Sequence, residues 1–329
     1  MWVDSPNDRR DKLVFTYNNR NATDGVGAQL HRIYGTYAIS RFLGASYLHS
    51  PLVRVDYQGL SSVEKRTHDP EFHEDFNRLL YMKSDPMPHR LHQINMEHIT
   101  VDDVEQLVAR FDAGETDGQS WLARLNTPYG IADQFPQCYE VCKKMSPFAT
   151  VLSGPAVRVA IHVRRGELFA VDSHRMLPNS FYVQVGQTLA RLLQRRGLDY
   201  RIELHTEVAS KAFVLRPDDC GISHRIDAPV LMRPEMNQLE EFDALPNLVH
   251  CINEPAIDCL RQLATAHIVV MSRSSFSYVA AILNRRGLVL SHPFWHARLP
   301  SWIEVDATGQ FDSEKFERAL EELRAESQI

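Results

Sequence analysis

Short β-branched runs alternate with amphipathic stretches through the second half of the chain, and that rhythm limits the fold more than any single residue. Residues 157–163, 200–204, 248–252, 267–271 and 287–290 read as strands, the last of these as the final strand. Residues 178–196, 237–245, 255–266, 278–284 and 312–325 read as helices. Such alternation joins successive strands through helical crossovers, which makes the strands parallel and covers both faces of the sheet. The start of the chain has the same grammar. Residues 12–17 read as a strand, residues 18–28 as turn chemistry, and residues 29–43 as a helix with Leu30, Ile33, Tyr34, Tyr37, Ala38 and Phe42 along one face. A second strand over 45–49 then stops before Pro51.

Residues 52–155 are less patterned, with helices predicted over 71–82, 101–111 and 137–144 and loops between them. At 329 residues the chain exceeds the size at which one core usually stops growing, so two domains are expected. Ser153-Gly154-Pro155 supplies the break, giving domains 1–155 and 156–329, with the final helix packing back on the first. The fold class expected is α/β, with two facing Rossmann-like domains built on mostly parallel sheets.

The most informative strand end is Val157–Val163, followed by Arg164, Arg165, Gly166 and Glu167. Ligands of open α/β sheets sit beyond the carboxyl ends of the strands. Adjacent guanidiniums there match a carboxylate, a phosphate or a pyrophosphate as a two-pronged fork. Two further stretches have the makings of anion sites. Gly25-Val26-Gly27 lies between a strand and a helix N-terminus, and Ser272-Arg273-Ser274-Ser275-Phe276-Ser277 precedes another helix. No Lys follows the first of these in the place a Walker loop requires. His205-Thr206-Glu207 is a polar triplet at one more strand end.

A net charge of −6 without a basic block argues against nucleic acid as the main partner, so any basic site must be local. Hydrophobic content of 44% and charged content of 24% are ordinary for a soluble enzyme. No apolar run approaches the roughly 18–20 residues of a membrane span, and the first ten residues lack the apolar core of a signal peptide. A cytoplasmic location is expected, the alternative being a Golgi-lumenal catalytic domain without its anchor. Five cysteines (138, 142, 220, 251 and 259) form no CxxC pair and read as reduced thiols. Asn21-Ala22-Thr23 is read as a chance sequon. His89, His92 and His98 lack the paired spacing of metal ligands and read as surface residues; no metal is expected.

His162-Val163-Arg164-Arg165-Gly166-Glu167 resembles the His-x-Arg-Arg-Gly-(Asp/Glu) motif of the inverting GDP-fucose-dependent fucosyltransferases, the α1,2-, α1,6- and protein O-fucosyltransferase superfamily. Gly25-Val26-Gly27-Ala28-Gln29-Leu30-His31 resembles the Gly-x-Gly-x-Gln-Leu-His segment of the α1,6 branch, and Ser274-Ser275-Phe276-Ser277 resembles the family's Ser-(Ser/Thr)-Phe-Ser motif. The three occur in the family's order, while residues 52–155 carry no match. The resemblance implies a GT-B fold and a glycosyltransferase moving L-fucose from GDP-fucose to a glycan hydroxyl in α1,6- or α1,2-linkage, without metal or other cofactor. It places Gly25, Gly27, Gln29, His31, His162, Arg164, Arg165, His205, Ser274, Ser275, Phe276 and Ser277 around the donor, with Asp258 at the guanine edge. Arg165, with Arg164 or Ser275, would hold the diphosphate, and His162 would orient the nucleotide and line the sugar pocket. Asp172, seven residues beyond it, is the first choice of base, with Glu167 second and Asp24 third. Nucleotide sugar and oligosaccharide are the implied partners, and a homodimer is the expected assembly. Two other readings stay open: a transferase of the same fold using another nucleotide sugar, and a non-catalytic glycan- or nucleotide-binding module.

Overall fold

The computed structural model describes residues 12–20, 22, 24–148, 156–217, 219 and 226–327. The expected break at Ser153-Gly154-Pro155, the sequon residues Asn21 and Thr23, and Cys220 lie outside them. The four described cysteines are free thiols.

The first unit runs β1 (Leu13–Tyr17), α1 (Val26–Leu43), β2 (Ser46–Tyr47), α2 (Leu60–Lys65), α3 (Phe72–Leu79), β3 (Leu91–Met96), α4 (Val101–Asp112), β4 (Ser120–Leu125), α5 (Tyr129–Ala132) and α6 (Glu140–Met145). Its four strands are parallel in the order β2-β1-β4-β3. Every residue of β1 is buried, as befits a strand covered on both faces. Helix α4 starts where Thr100 and Asp103 bond each other's backbone amides in a capping box. Helix α1 begins three residues before the sequence reading placed it, so Gly27 lies in its first turn and Gly25 caps it.

The second unit runs β5 (Val157–Val163), α7 (Leu168–Val171), α8 (Asn179–Arg195), β6 (Tyr200–Thr206), β7 (Phe213–Leu215), β8 (Val230–Met232), β9 (Leu248–Ile252), α9 (Ala256–Ala264), β10 (Ile268–Val270), α10 (Ser275–Leu283), β11 (Leu288–Ser291), β12 (Ile303–Glu304) and α11 (Ser313–Ser327). Strands β7 and β8 form a separate antiparallel ribbon. The other six are parallel, in the order β12-β11-β10-β5-β6-β9. The chain leaves β5 towards β6 and β9, then crosses back to β10 on the other side of β5. The switch point therefore falls between β5 and β10, where ligands of such sheets bind.

Two facing α/β units with mostly parallel sheets are thus present. Several details depart from the sequence reading. Strands β3 and β4 occupy the poorly patterned region. The strand over 287–290 is followed by a further short strand, β12. Residues 237–245 contain 3₁₀ turns rather than a regular helix, because Gln238 has a left-handed φ of 46° between two of them.

The described residues of the final helix pack on the second unit. Its Phe316, Leu320 and Leu323 pack into the core formed by β5, β6 and α8, and Arg195 at the end of α8 and the following Arg196 ion-pair with Glu317. What joins the units instead is α1, laid against α10. Ile33, Tyr34 and Ala38 of α1 share one continuous apolar core with Tyr278, Ala281 and Ile282 of α10 and with Leu260 and Leu263 of α9. Burying one such large side chain contributes about 1.5–3 kcal/mol, so a core spanning both units couples them mechanically.

Candidate functional site

A cavity of about 810 Å³ opens between the units, above the carboxyl ends of β5, β6 and β9. That volume is within the range of small-molecule sites. The switch point lies in its wall: His162, near the end of β5, bonds through Nδ1 to Ser272 Oγ just beyond β10, at 2.7 Å. Burial, with Arg164 and His205 nearby, lowers the His162 imidazole to about 3, so it is neutral at ordinary pH.

Two helix N-termini converge here. Gly25, Val26, Gly27 and Ala28 open α1, while Ser274, Ser275 and Phe276 open α10, and all seven line the cavity. Neither helix has an acidic residue in its first turn; Asp24, just before the Gly25 cap of α1, is paired with Arg32. The approach needs a glycine: a Cβ on Gly27 would stand 2.6 Å from the Phe276 backbone. Ser274 caps α10 by accepting from the Phe276 amide at 3.2 Å, and Ser275 Oγ bonds His296 Nε2 at 2.8 Å. Ser277 is buried, turned back to the carbonyls of Ser272 and Ser274.

The adjacent arginines divide rather than act as one fork. Arg164 ion-pairs with Glu167 and stands 3.6 Å from Glu207, with its guanidinium over the Tyr57 ring. Burial opposes its charge, but those carboxylates hold it firmly protonated. Arg165 meets only neutral acceptors: the Arg164 carbonyl at 2.9 Å, the Leu177 carbonyl at 3.0 Å and Asn179 Oδ1. Burial lowers its affinity for the proton, and no carboxylate lies within ion-pairing distance among the described residues. Arg273, also in the cavity wall, donates to the His174 carbonyl and to His292. Two guanidiniums are thus held in place by neutral acceptors, with Glu241 near Arg165 but outside ion-pairing distance.

The carboxylates of the wall are mostly engaged. Glu167 is buried against Arg164, and Asp24 pairs with Arg32 at 2.5 Å. Asp172 is half-buried at the rim, 4.0 Å from Arg175 Nε. Glu207, which sequence reasoning placed only as part of a polar triplet, sits between Tyr57 Oη at 3.1 Å and the backbones of Gly59 and Gly166. Gly166 has φ 62°, a conformation glycine adopts without strain, and it turns the chain sharply after the arginines. Enclosure in the wall raises the Glu207 carboxyl, against the pull of Arg164.

Several expected donor residues lie outside the cavity. Gln29 is fully buried and ties the Asp24 carbonyl to the Arg54 carbonyl, so it braces the rim from behind. His31 bonds Tyr139 Oη at 2.7 Å within a nest of aromatic rings, and burial pushes its imidazole well below its usual range. Asp258 pairs with Arg261 on the outer side of α9. His205 is buried beside Glu254. Conversely, the aromatic loop Pro293-Phe294-Trp295-His296 lines the mouth, with Arg175 stacked 4.5 Å over the half-exposed Trp295. An aromatic run flanked by polar segments was the one signal for it in the sequence. His89, His92 and His98 are exposed, as expected.

Among the described residues, one group could hold a metal ion: His205, Cys251 and Glu254. No described helix is long and apolar enough to cross a membrane.

No protein-family model and no curated protein matches the chain. Solved structures similar to it include POFUT1 in complex with GDP, at 12% identity over 83% of this chain and 95% of that one, TM-score 0.39. The E. coli heptosyltransferase WaaC with ADP is 14% identical over 94% and 99%, TM-score 0.40. Arabidopsis thaliana FUT1 in complex with GDP is 13% identical over 88% and 72%, TM-score 0.36. At these values the site has to be read from its own residues.

Proposed function

We propose that the chain is an inverting glycosyltransferase whose donor is a nucleoside diphosphate sugar, GDP-fucose being the first choice and a glycan hydroxyl the acceptor. One observation carries the reading. Arg165 and Arg273, each bonded only to neutral acceptors, border a cavity on which two helix N-termini without first-turn acids converge. Converging positive charge of this kind suits a diphosphate leaving group. The resemblance of residues 162–167 and 274–277 to the fucosyltransferase motifs supports fucose as the sugar.

In this reading the acceptor hydroxyl attacks the anomeric carbon in line with the departing diphosphate, and the C–O bond to the phosphate breaks as the new one forms. Asp172 at the rim accepts the hydroxyl proton; Glu167, already opposite Arg164, is less suited. Charge growing on the diphosphate is met by Arg165, Arg273 and the first-turn amides of α1 and α10. The exposed Trp295 ring at the mouth offers the acceptor sugar an apolar face.

A second reading keeps the chemistry and changes the nucleotide. It is favoured by Asp258, which faces away from the cavity and so reads no guanine edge there. Calorimetric titration with GDP, UDP and ADP separates the two. Tightest binding of GDP, with slow release of fucose from GDP-fucose, is expected of the first; preference for UDP or ADP selects the second, and no nucleotide binding rejects both.

A further inference from the structure

His205 and Cys251 are partners in register on adjacent parallel strands β6 and β9, so their side chains stand side by side on one face of the sheet. Glu254 follows two residues beyond the end of β9 and reaches back, its Oε2 3.2 Å from His205 Nδ1. One ligand atom from each of the three lies within 4.8 Å of the others. Cys251 and Glu254 also line the cavity, whereas the imidazole is wholly buried behind them.

We propose that these three side chains bind a zinc-type divalent ion with its remaining coordination position open to the cavity. Thiol, imidazole and carboxylate together select a borderline-soft ion over magnesium or calcium, which prefer all-oxygen sites. Three protein ligands with one free position is the arrangement of reactive rather than purely structural zinc. Zinc bonds of about 2.0–2.3 Å put tetrahedral ligand atoms roughly 3.3–3.8 Å apart, so the widest pair here draws in by about 1 Å.

The surroundings on the far side of the imidazole fit this assignment. His205 Nε2 is buried without a hydrogen-bond partner, and Glu203 Oε2 stands 3.8 Å from it. Glu203 is in turn fixed by Arg158 at 2.9 Å and Arg201 at 2.6 Å. A metal on Nδ1 directs the remaining N–H towards Glu203, the carboxylate–histidine–metal relay that fixes a ligand's tautomer. On binding, the Cys251 S–H bond is exchanged for a sulfur–metal bond and the proton passes to solvent.

The test is a titration of the intact chain with Co²⁺, in a phosphine reductant and without nucleotide, so that its outcome is independent of the donor proposed above. A cobalt–thiolate charge-transfer band saturating at one equivalent and displaced by Zn²⁺ is expected. Cys251→Ser should abolish the band, and Glu254→Gln should weaken binding at least about tenfold, with circular dichroism of both metal-free variants unchanged. Absence of the band in the parent, or its persistence in Cys251→Ser, overturns the assignment. Should Cys251→Ser fail to fold, unchanged affinity in Glu254→Gln overturns it equally.

Discussion

Gly27 and Phe276 touch backbone to backbone: a single methyl group on Gly27 would come within 2.6 Å of the Phe276 nitrogen. The contact brings the first turn of α1 onto the first turn of α10, and so sets the spacing of the two positive helix ends at the cavity. Gly27→Ala must push the helices apart. Overpacking of this sort costs about 1–3 kcal/mol. Urea denaturation should show that loss, and nucleotide affinity should fall with it; an unchanged midpoint and affinity would mean the contact is dispensable.

The shared core predicts how the molecule unfolds. Because α1, α9 and α10 contribute to one apolar cluster across both sheets, separating the units would expose the core that the first unit shares with the second. Denaturation followed by tryptophan fluorescence, to which buried Trp121 and Trp302 contribute, and by far-UV circular dichroism should give coincident transitions. Two separated transitions would show that the units fold independently.

Acid should weaken the fold through its buried imidazoles. Burial, with Arg175 and Arg32 nearby, lowers His296 to about 3, and His31 beside it is lowered too. Between about 6.5, the unfolded value, and the folded value, the unfolded chain binds a proton that the folded chain refuses. Stability from these groups is therefore complete above about pH 6.5 and is lost as pH falls. Each such histidine adds a slope of up to about 1.4 kcal/mol per pH unit. His296→Gln, measured by urea denaturation from pH 7 to pH 4, should flatten the profile; an unchanged slope would show that His296 charges as readily folded as unfolded.

Asp172 carries the proposed proton transfer. It is half-buried and paired only loosely with Arg175, so Asp172→Asn should change stability by no more than about 0.5 kcal/mol. Turnover should drop by roughly 10²–10⁴-fold with little change in donor affinity. Turnover within twofold of the parent would remove Asp172 from this role.

What the sequence disclosed follows from how strongly burial patterns a segment. Strands β1 and β5, covered on both faces, are nearly unbroken apolar runs and were legible. Strand β3 is an edge strand in which His92, Gln93 and Asn95 are exposed, so it carries no apolar signature. Strand β12 has two residues, too few for a period. The arginine mouth and the serine turn were legible because their side chains and their helix or strand context are contiguous. Tyr57, Arg175, Trp295 and His296 reach the cavity from loops far apart in the chain, and nothing local marks them as neighbours. Gln29 and His31 belong to a recognisable segment but sit behind the wall, since a helix turns its successive residues to different sides.

The division of labour between the two arginines gives the most direct test. Arg164 is held by Glu167 and Glu207, whereas Arg165 has only neutral acceptors. Calorimetric titration of GDP into the parent and into Arg165→Ala measures what that difference does. If Arg165 holds the diphosphate, its loss should cost about 1.5–3 kcal/mol, roughly a 10- to 150-fold weaker Kd, and donor turnover should fall at least as far. GDP binding of equal strength in both proteins would contradict the account.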